Sequence, residues 1–131
     1  MPFKVGDVVW IYTDKSINPK PKMCVIIAQG REDKNIWLIA FICTGATAPN
    51  HIKRFYLPII KNDLTPFLDY DSFLNCWDPV EFTTKEIEDS IKKKSSNLCG
   101  KVSEDQISKM IQLCLDSPVM EYRDQLKYFD C

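Results

Sequence analysis

The order of apolar and polar positions divides this chain into two parts, one with strand-like runs and a later one with helical periodicity. Val5 to Tyr12 (VGDVVWIY) mixes β-branched and aromatic residues with little polar alternation, which predicts a strand buried on both faces and starting near Gly6. Met23 to Ala28 and Ile36 to Cys43 are apolar runs of strand length, and Gln29 to Asn35 (QGREDKN) between them supplies Gly and Asp for a hairpin turn. Ile52 to Ile60 (IKRFYLPII) reads as a fourth strand, in which Pro58 removes a ladder donor and marks an edge or a strand end. Ser72 to Cys76 and Val80 to Phe82 predict two shorter ones. Two loops punctuate the series. Thr13 to Lys22 (TDKSINPKPK) carries prolines and lysines with almost nothing apolar, as in a mobile solvated loop, and Thr44 to Asn50 (TGATAPN) is small and uncharged.

Beyond Phe82 the period changes. Thr83 followed by Glu86 is a capping-box pattern for a short helix carrying Ile87 and Ile91, with Lys92, Lys93, Lys94, Ser95 and Ser96 as its solvated end. A second box at Ser103 and Gln106 precedes Ile107, Met110, Ile111, Cys114 and Leu115, which recur on one helical face, and Pro118 ends that helix near Ser117. Val119 to Cys131 fits either a further short helix or a loose tail. Short strands, turn-like joins and one long helix predict a mainly β domain: a small curved antiparallel barrel of five to seven strands with the Ser103 to Asp116 helix packed on it. It forms a single domain over 1–131, with a core from about 4 to 119 and a tail from 120 to 131.

Composition narrows the functional classes. With 131 residues, 45% of them hydrophobic, one core can form unaided. Lys plus Arg number 17 against 18 Asp plus Glu, so the net charge of -1 gives no general attraction to nucleic acid, and RNA binding requires a local basic patch. The cysteines at 24, 43, 76, 99, 114 and 131 make no Cys-x-x-Cys pair, and one histidine, His51, cannot complete a common zinc site. No metal and no cofactor are expected. Without a signal-peptide pattern or a membrane-length apolar run, the expectation is a cytoplasmic protein with reduced thiols and no membrane partner. Trp10, Trp37 and Trp77 are expected in the core or in a dimer interface.

Several short elements occur in an order that resembles the PemK/MazF-like toxin family. Gly6-Asp7-Val8-Val9 opens the first strand, Met23-Cys24-Val25-Ile26-Ile27 stands where the family has Arg-Pro and an aliphatic strand, and Ile42-Cys43-Thr44 is similar to its aliphatic-Thr strand end. Phe67 to Phe73 (FLDYDSF) looks like its Leu-x-x-Asp-Ser-aliphatic element, and Gly100-Lys101-Val102-Ser103 like the start of its terminal helix. The resemblance runs from about Lys4 to Val119. It implies an SH3-like barrel, usually a homodimer, that cleaves single-stranded RNA without metal as the toxin of a type II toxin-antitoxin pair and is silenced by a cognate antitoxin protein. Two departures stand out: lysine at 20 and 22 where the family has arginine, and Val80 where it often has a second basic residue.

Cleavage through the 2′-hydroxyl needs a proton acceptor, a positive charge for the phosphorane and in-line positioning. Lys22, or Lys20 if the loop bends differently, is the candidate cation, though a point charge lacks arginine's bidentate fork, and a solvated loop lysine is the plainer reading. Thr44 at a strand end beside the Gly-Ala loop can donate to a phosphate oxygen, or bond its own turn. His51 is the candidate base, or a surface histidine. Lys53 and Arg54 with Phe55 and Tyr56 form a basic, aromatic cluster suited to single-stranded RNA, with Phe55 itself expected in the core. The site expectation is one open groove lined by Lys22, Thr44, His51, Lys53 and Arg54. Two other readings compete: a non-catalytic SH3-like module that binds RNA or protein, and a cysteine hydrolase in which His51 meets Cys43 or Cys24.

Overall fold

The computed structural model describes residues 2–13, 20–44 and 48–130, with 13 and 20 described by their backbone alone. Among the described residues seven strands form the sheet: β1 Asp7–Thr13, β2 Lys20–Gln29, β3 Ile36–Cys43, β4 Tyr56–Ile59, β5 Ser72–Asn75, β6 Val80–Thr83 and β7 Leu98–Lys101. Every pairing is antiparallel, in the order β4-β5-β3-β2-β1-β7 with β6 branching from β3. One edge of β3 pairs with β2, while the other is shared between β6 along Ile36 to Ile39 and β5 at Ile42 and Cys43. This fork, with register shifts at Val8/Val9 and at Ile26/Ala28, curls the sheet into a half-barrel, because a bulge bends and twists its strand. The expected curved antiparallel β fold with a C-terminal helix is the one observed.

The helices are α1 Asn50–Lys53, α2 Thr84–Lys93, α3 Glu104–Asp116 and α4 Tyr122–Tyr128, with a 3-10 turn at Ser95–Asn97. They cover both faces of the central strands. Val8, Val25, Ile27, Leu38 and Ala40 pack under Met110 and Cys114 of α3 and under Tyr128 and Phe129. Val9, Ile11, Cys24, Ile26 and Ile39 pack with Phe82 of β6 and Ile87 of α2 on the opposite side. The unbroken apolar runs of β1 to β3 follow from this double burial.

Local chemistry starts each element. The Thr83 hydroxyl accepts the Glu86 N–H at 3.2 Å while the Glu86 carboxylate accepts the Thr83 N–H at 3.0 Å, a complete box for α2. For α3 only half of the box closes: Ser103 Oγ accepts the Gln106 N–H at 3.1 Å, but Gln106 Nε2 donates to the Pro58 carbonyl at 3.3 Å and ties the helix to β4. Gly6 has φ of 93°, and a Cβ there would meet Ile107 Cδ1 at 2.8 Å. A glycine is thus required where β1 begins beneath α3.

Three expectations change, and one open choice is decided. Lys20 to Met23 belong to β2 and pair with Thr13 back to Trp10, because β1 outruns its core and offers a ladder to them. Residues 14–19 of the expected loop, and 45–47 of the Gly-Ala loop, lie outside the described residues. Ile52 to Ile60 is not one strand: α1 and a turn at Arg54 and Phe55 precede β4, and this break drops the Phe55 ring into the core at 2% exposure. The segment after the lysine run contains β7, which the free edge of β1 recruits. The last segment is a helix rather than a loose tail. Tyr128 donates to the Glu81 carboxylate, Arg31 N–H donates to the Lys127 carbonyl at 2.7 Å, and the Arg31 guanidinium donates to the Phe129 carbonyl at 3.2 Å. Among the described residues no helix is long and apolar enough to cross a membrane.

Because Phe129 is 6% exposed within the α3-side core, Phe129→Ala should lower unfolding free energy by about 3 to 5 kcal/mol in urea titration. A loss under about 1 kcal/mol would mean that residues 120–130 are peripheral to the core.

Candidate nucleic-acid interface

The strands β1, β2 and β3 run beyond the helices that cover them, and a recess opens over their ends. Trp10, Lys22, Met23, Cys43 and Thr44 form its floor and one wall, while Phe67, Asp69 and Tyr70 from the segment before β5 form the other. The register explains the arrangement. Trp10 pairs with Met23 and therefore shares its face, whereas Lys22 pairs with Ile11 and emerges on the alternate face near Cys43. The recess wraps the strand ends, so that Lys22 from one face and Trp10 from the other both reach it. Phe67 lies against β7, where a Cβ on Gly100 would meet its ring at 2.8 Å, so this glycine allows the wall to close.

Two of the expected residues therefore converge. Lys22 and Thr44 line one solvent-open recess. His51, Lys53 and Arg54 are not among its lining residues. The α1 turn carries His51 to another corner, where its ring meets Trp77 edge-on at 6.2 Å, Trp77 packs on Phe55 at 5.2 Å, and the Arg54 guanidinium lies 4.5 Å from the Phe55 ring centre. Ser117 Oγ fixes that corner by donating to the Trp77 carbonyl at 2.8 Å. Lys20 enters the ladder opposite Thr13, and its side chain lies outside the described residues. Val80 is a β6 strand residue packed against the α2-side core, in line with its apolar character.

The thiols carry no nucleophile for a histidine. Cys24 is fully buried, donates to the Val9 carbonyl at 3.3 Å, and burial pushes its pKa well above the ordinary thiol value. Cys43 is half-buried, and burial raises its pKa even though the Lys22 ammonium beside it pulls the other way. A thiol held protonated is a poor nucleophile, and His51 packs on Trp77, so the cysteine-hydrolase arrangement is not formed. The described cysteines are free, and among the described residues no group of three His, Cys, Asp or Glu is placed to hold a metal ion.

Sequence reasoning missed Trp10, Asp69 and Tyr70 as lining residues. Of the two places expected for Trp10, its 37% exposure excludes the core, and Tyr12 two residues on is 58% exposed. The signal was present as two aromatics at i and i+2, alternating with the core residues Val9 and Ile11. Of the other tryptophans, Trp37 is buried and donates to Thr84 Oγ1 at 2.9 Å.

No protein-family model and no curated protein matches this chain significantly.

Since the Lys22 ammonium lowers the Cys43 pKa, Lys22→Ala should shift the pH profile of Cys43 alkylation to higher pH and slow the reaction at neutral pH, read by peptide mass spectrometry. An unchanged profile would show that Lys22 does not stand beside the thiol.

Proposed function

We propose that this protein binds single-stranded RNA in the Lys22–Thr44 recess and, in line with its resemblance to PemK/MazF-like toxins, cleaves it without a metal as the toxin of a type II toxin-antitoxin pair. The observation that carries the reading is the convergence of Lys22 and Thr44 on one open recess with exposed aromatic surface from Trp10 and Tyr70. Lysine charge, a hydroxyl donor and unpaired rings are the groups that hold a phosphodiester backbone with splayed bases. In such a complex Lys22 neutralises charge building on the phosphorane and Thr44 donates to a non-bridging oxygen. His51 stands at the Trp77 corner, so the Asp69 carboxylate that lines the recess takes the 2′-hydroxyl proton as the O2′–P bond forms, and the P–O5′ bond breaks to leave a 2′,3′-cyclic phosphate and a 5′-oxygen that takes its proton from water. The family reading also carries a homodimer, a cognate antitoxin that covers the recess, and a cytoplasmic setting.

A second reading, RNA binding without cleavage, is favoured by the same position of His51 and by lysine in place of arginine, which removes the bidentate phosphate contact. Incubation of mixed-sequence single-stranded RNA with the protein in EDTA separates the two. Toxin-like activity predicts cleavage that falls at least about a hundredfold in Lys22→Ala and in Thr44→Ala but survives in His51→Ala. Binding without cleavage, weakened in Lys22→Ala, selects the second reading. Absence of both defeats the assignment.

A further inference from the structure

The recess over Lys22 and Thr44 does not end at Trp10. On the other side of that ring lies a second recess, formed by Tyr12, Lys93, Lys94 and Asn97 and sharing Trp10 and Pro21 with the first. The two adjoin at the exposed indole of Trp10 and at Pro21. Tyr12 stands two residues beyond Trp10 on the same strand face, about 7 Å along β1, and the Lys93 ammonium lies 4.2 Å from the centre of the Tyr12 ring. This orders a cation and a ring at the C-terminal end of α2, where the helix dipole also favours positive charge.

The lining of the two recesses carries an excess of positive charge. Lys22, Lys93 and Lys94 line them against one carboxylate, Asp69, although the whole chain carries a net charge of -1. The recess beside α4, by contrast, is lined by Asp78, Glu81, Asp124 and Lys127. None of Lys22, Lys93 and Lys94 forms a salt bridge with a carboxylate among the described residues.

We infer that the Tyr12–Lys93–Lys94 recess is an extension site for nucleotides flanking those held at Lys22 and Thr44. Bases stack on Trp10 and Tyr12, and Lys93 and Lys94 contact phosphates. The occupant is single-stranded RNA, because rings and cations alternate along the two adjoining recesses and a duplex hides the base faces that the rings require. The inference rests on the RNA reading above and adds a minimum length to its substrate.

The test is fluorescence anisotropy with labelled single-stranded RNAs of about three and about eight nucleotides, within the site sizes of comparable grooves. Wild type should bind the longer RNA at least about tenfold more tightly. Tyr12→Ala, and separately Lys93→Gln with Lys94→Gln, should erase that difference and leave the shorter RNA bound as before. The lysine pair should also reduce the salt-dependence slope for the longer RNA by about 1.4, about 0.7 for each charge. All three side chains are exposed, so thermal unfolding of the variants should match wild type. If the variants keep the wild-type preference for the longer RNA, the extension site is wrong while RNA binding stands. If wild type binds neither RNA, both readings fall. Equal loss for both lengths, or binding of polyglutamate without any RNA length dependence, also overturns the extension site.

Discussion

The structure depends on burying both faces of β1, β2 and β3 in a chain of 131 residues. A sheet with two apolar faces needs cover on each side, and α2 supplies it on one side while α3 and α4 supply it on the other. That demand fixes the rest. Gly6 must be a glycine because α3 lies against the start of β1, β6 and β5 must share the far edge of β3, and the C-terminal segment must return to seal the α3 side with Tyr128 and Phe129.

The short helices cannot cover strands of seven to ten residues along their whole length. Where the cover stops, the β1–β2 ladder continues through Tyr12–Pro21 and Trp10–Met23, where Trp10 and Tyr12 are exposed while Pro21 and Met23 stay partly buried. The candidate interface is this uncovered end. Its aromatics have the composition of core residues and the exposure of a surface, which is the combination that marks a contact site on a small domain.

The position of His51 separates binding from chemistry. The residue with the most suitable side chain for proton transfer at neutral pH packs on Trp77, while the residues suited to phosphate contact gather at the strand ends. The phosphate-suited residues and the histidine therefore occupy separate corners of the fold.

Much of the fold was legible in the chain itself. The strands β1, β2, β3, β5 and β6, both helix N-caps and the α3 face were written in apolar runs of strand length, in a period of 3.6 and in capping residues, because those depend on near neighbours. The mobile-loop reading of Lys20 and Lys22, the strand reading of Ile52 to Phe55 and the omission of β7 went astray where distant partners decide: β1 pulls one proline and two lysines into a ladder, the core takes Phe55 by way of a helical turn, and a free sheet edge recruits Leu98 to Lys101. Lys22 and Thr44 were found from the resemblance and are brought to one recess, but that His51 stands apart, and that Trp10, Tyr12, Lys93 and Lys94 line the adjoining recess, follows from how strand ends and a helix end meet in space. Sequence determines which residues favour strand, helix or turn; only the packing of remote segments determines which side chains are left uncovered side by side.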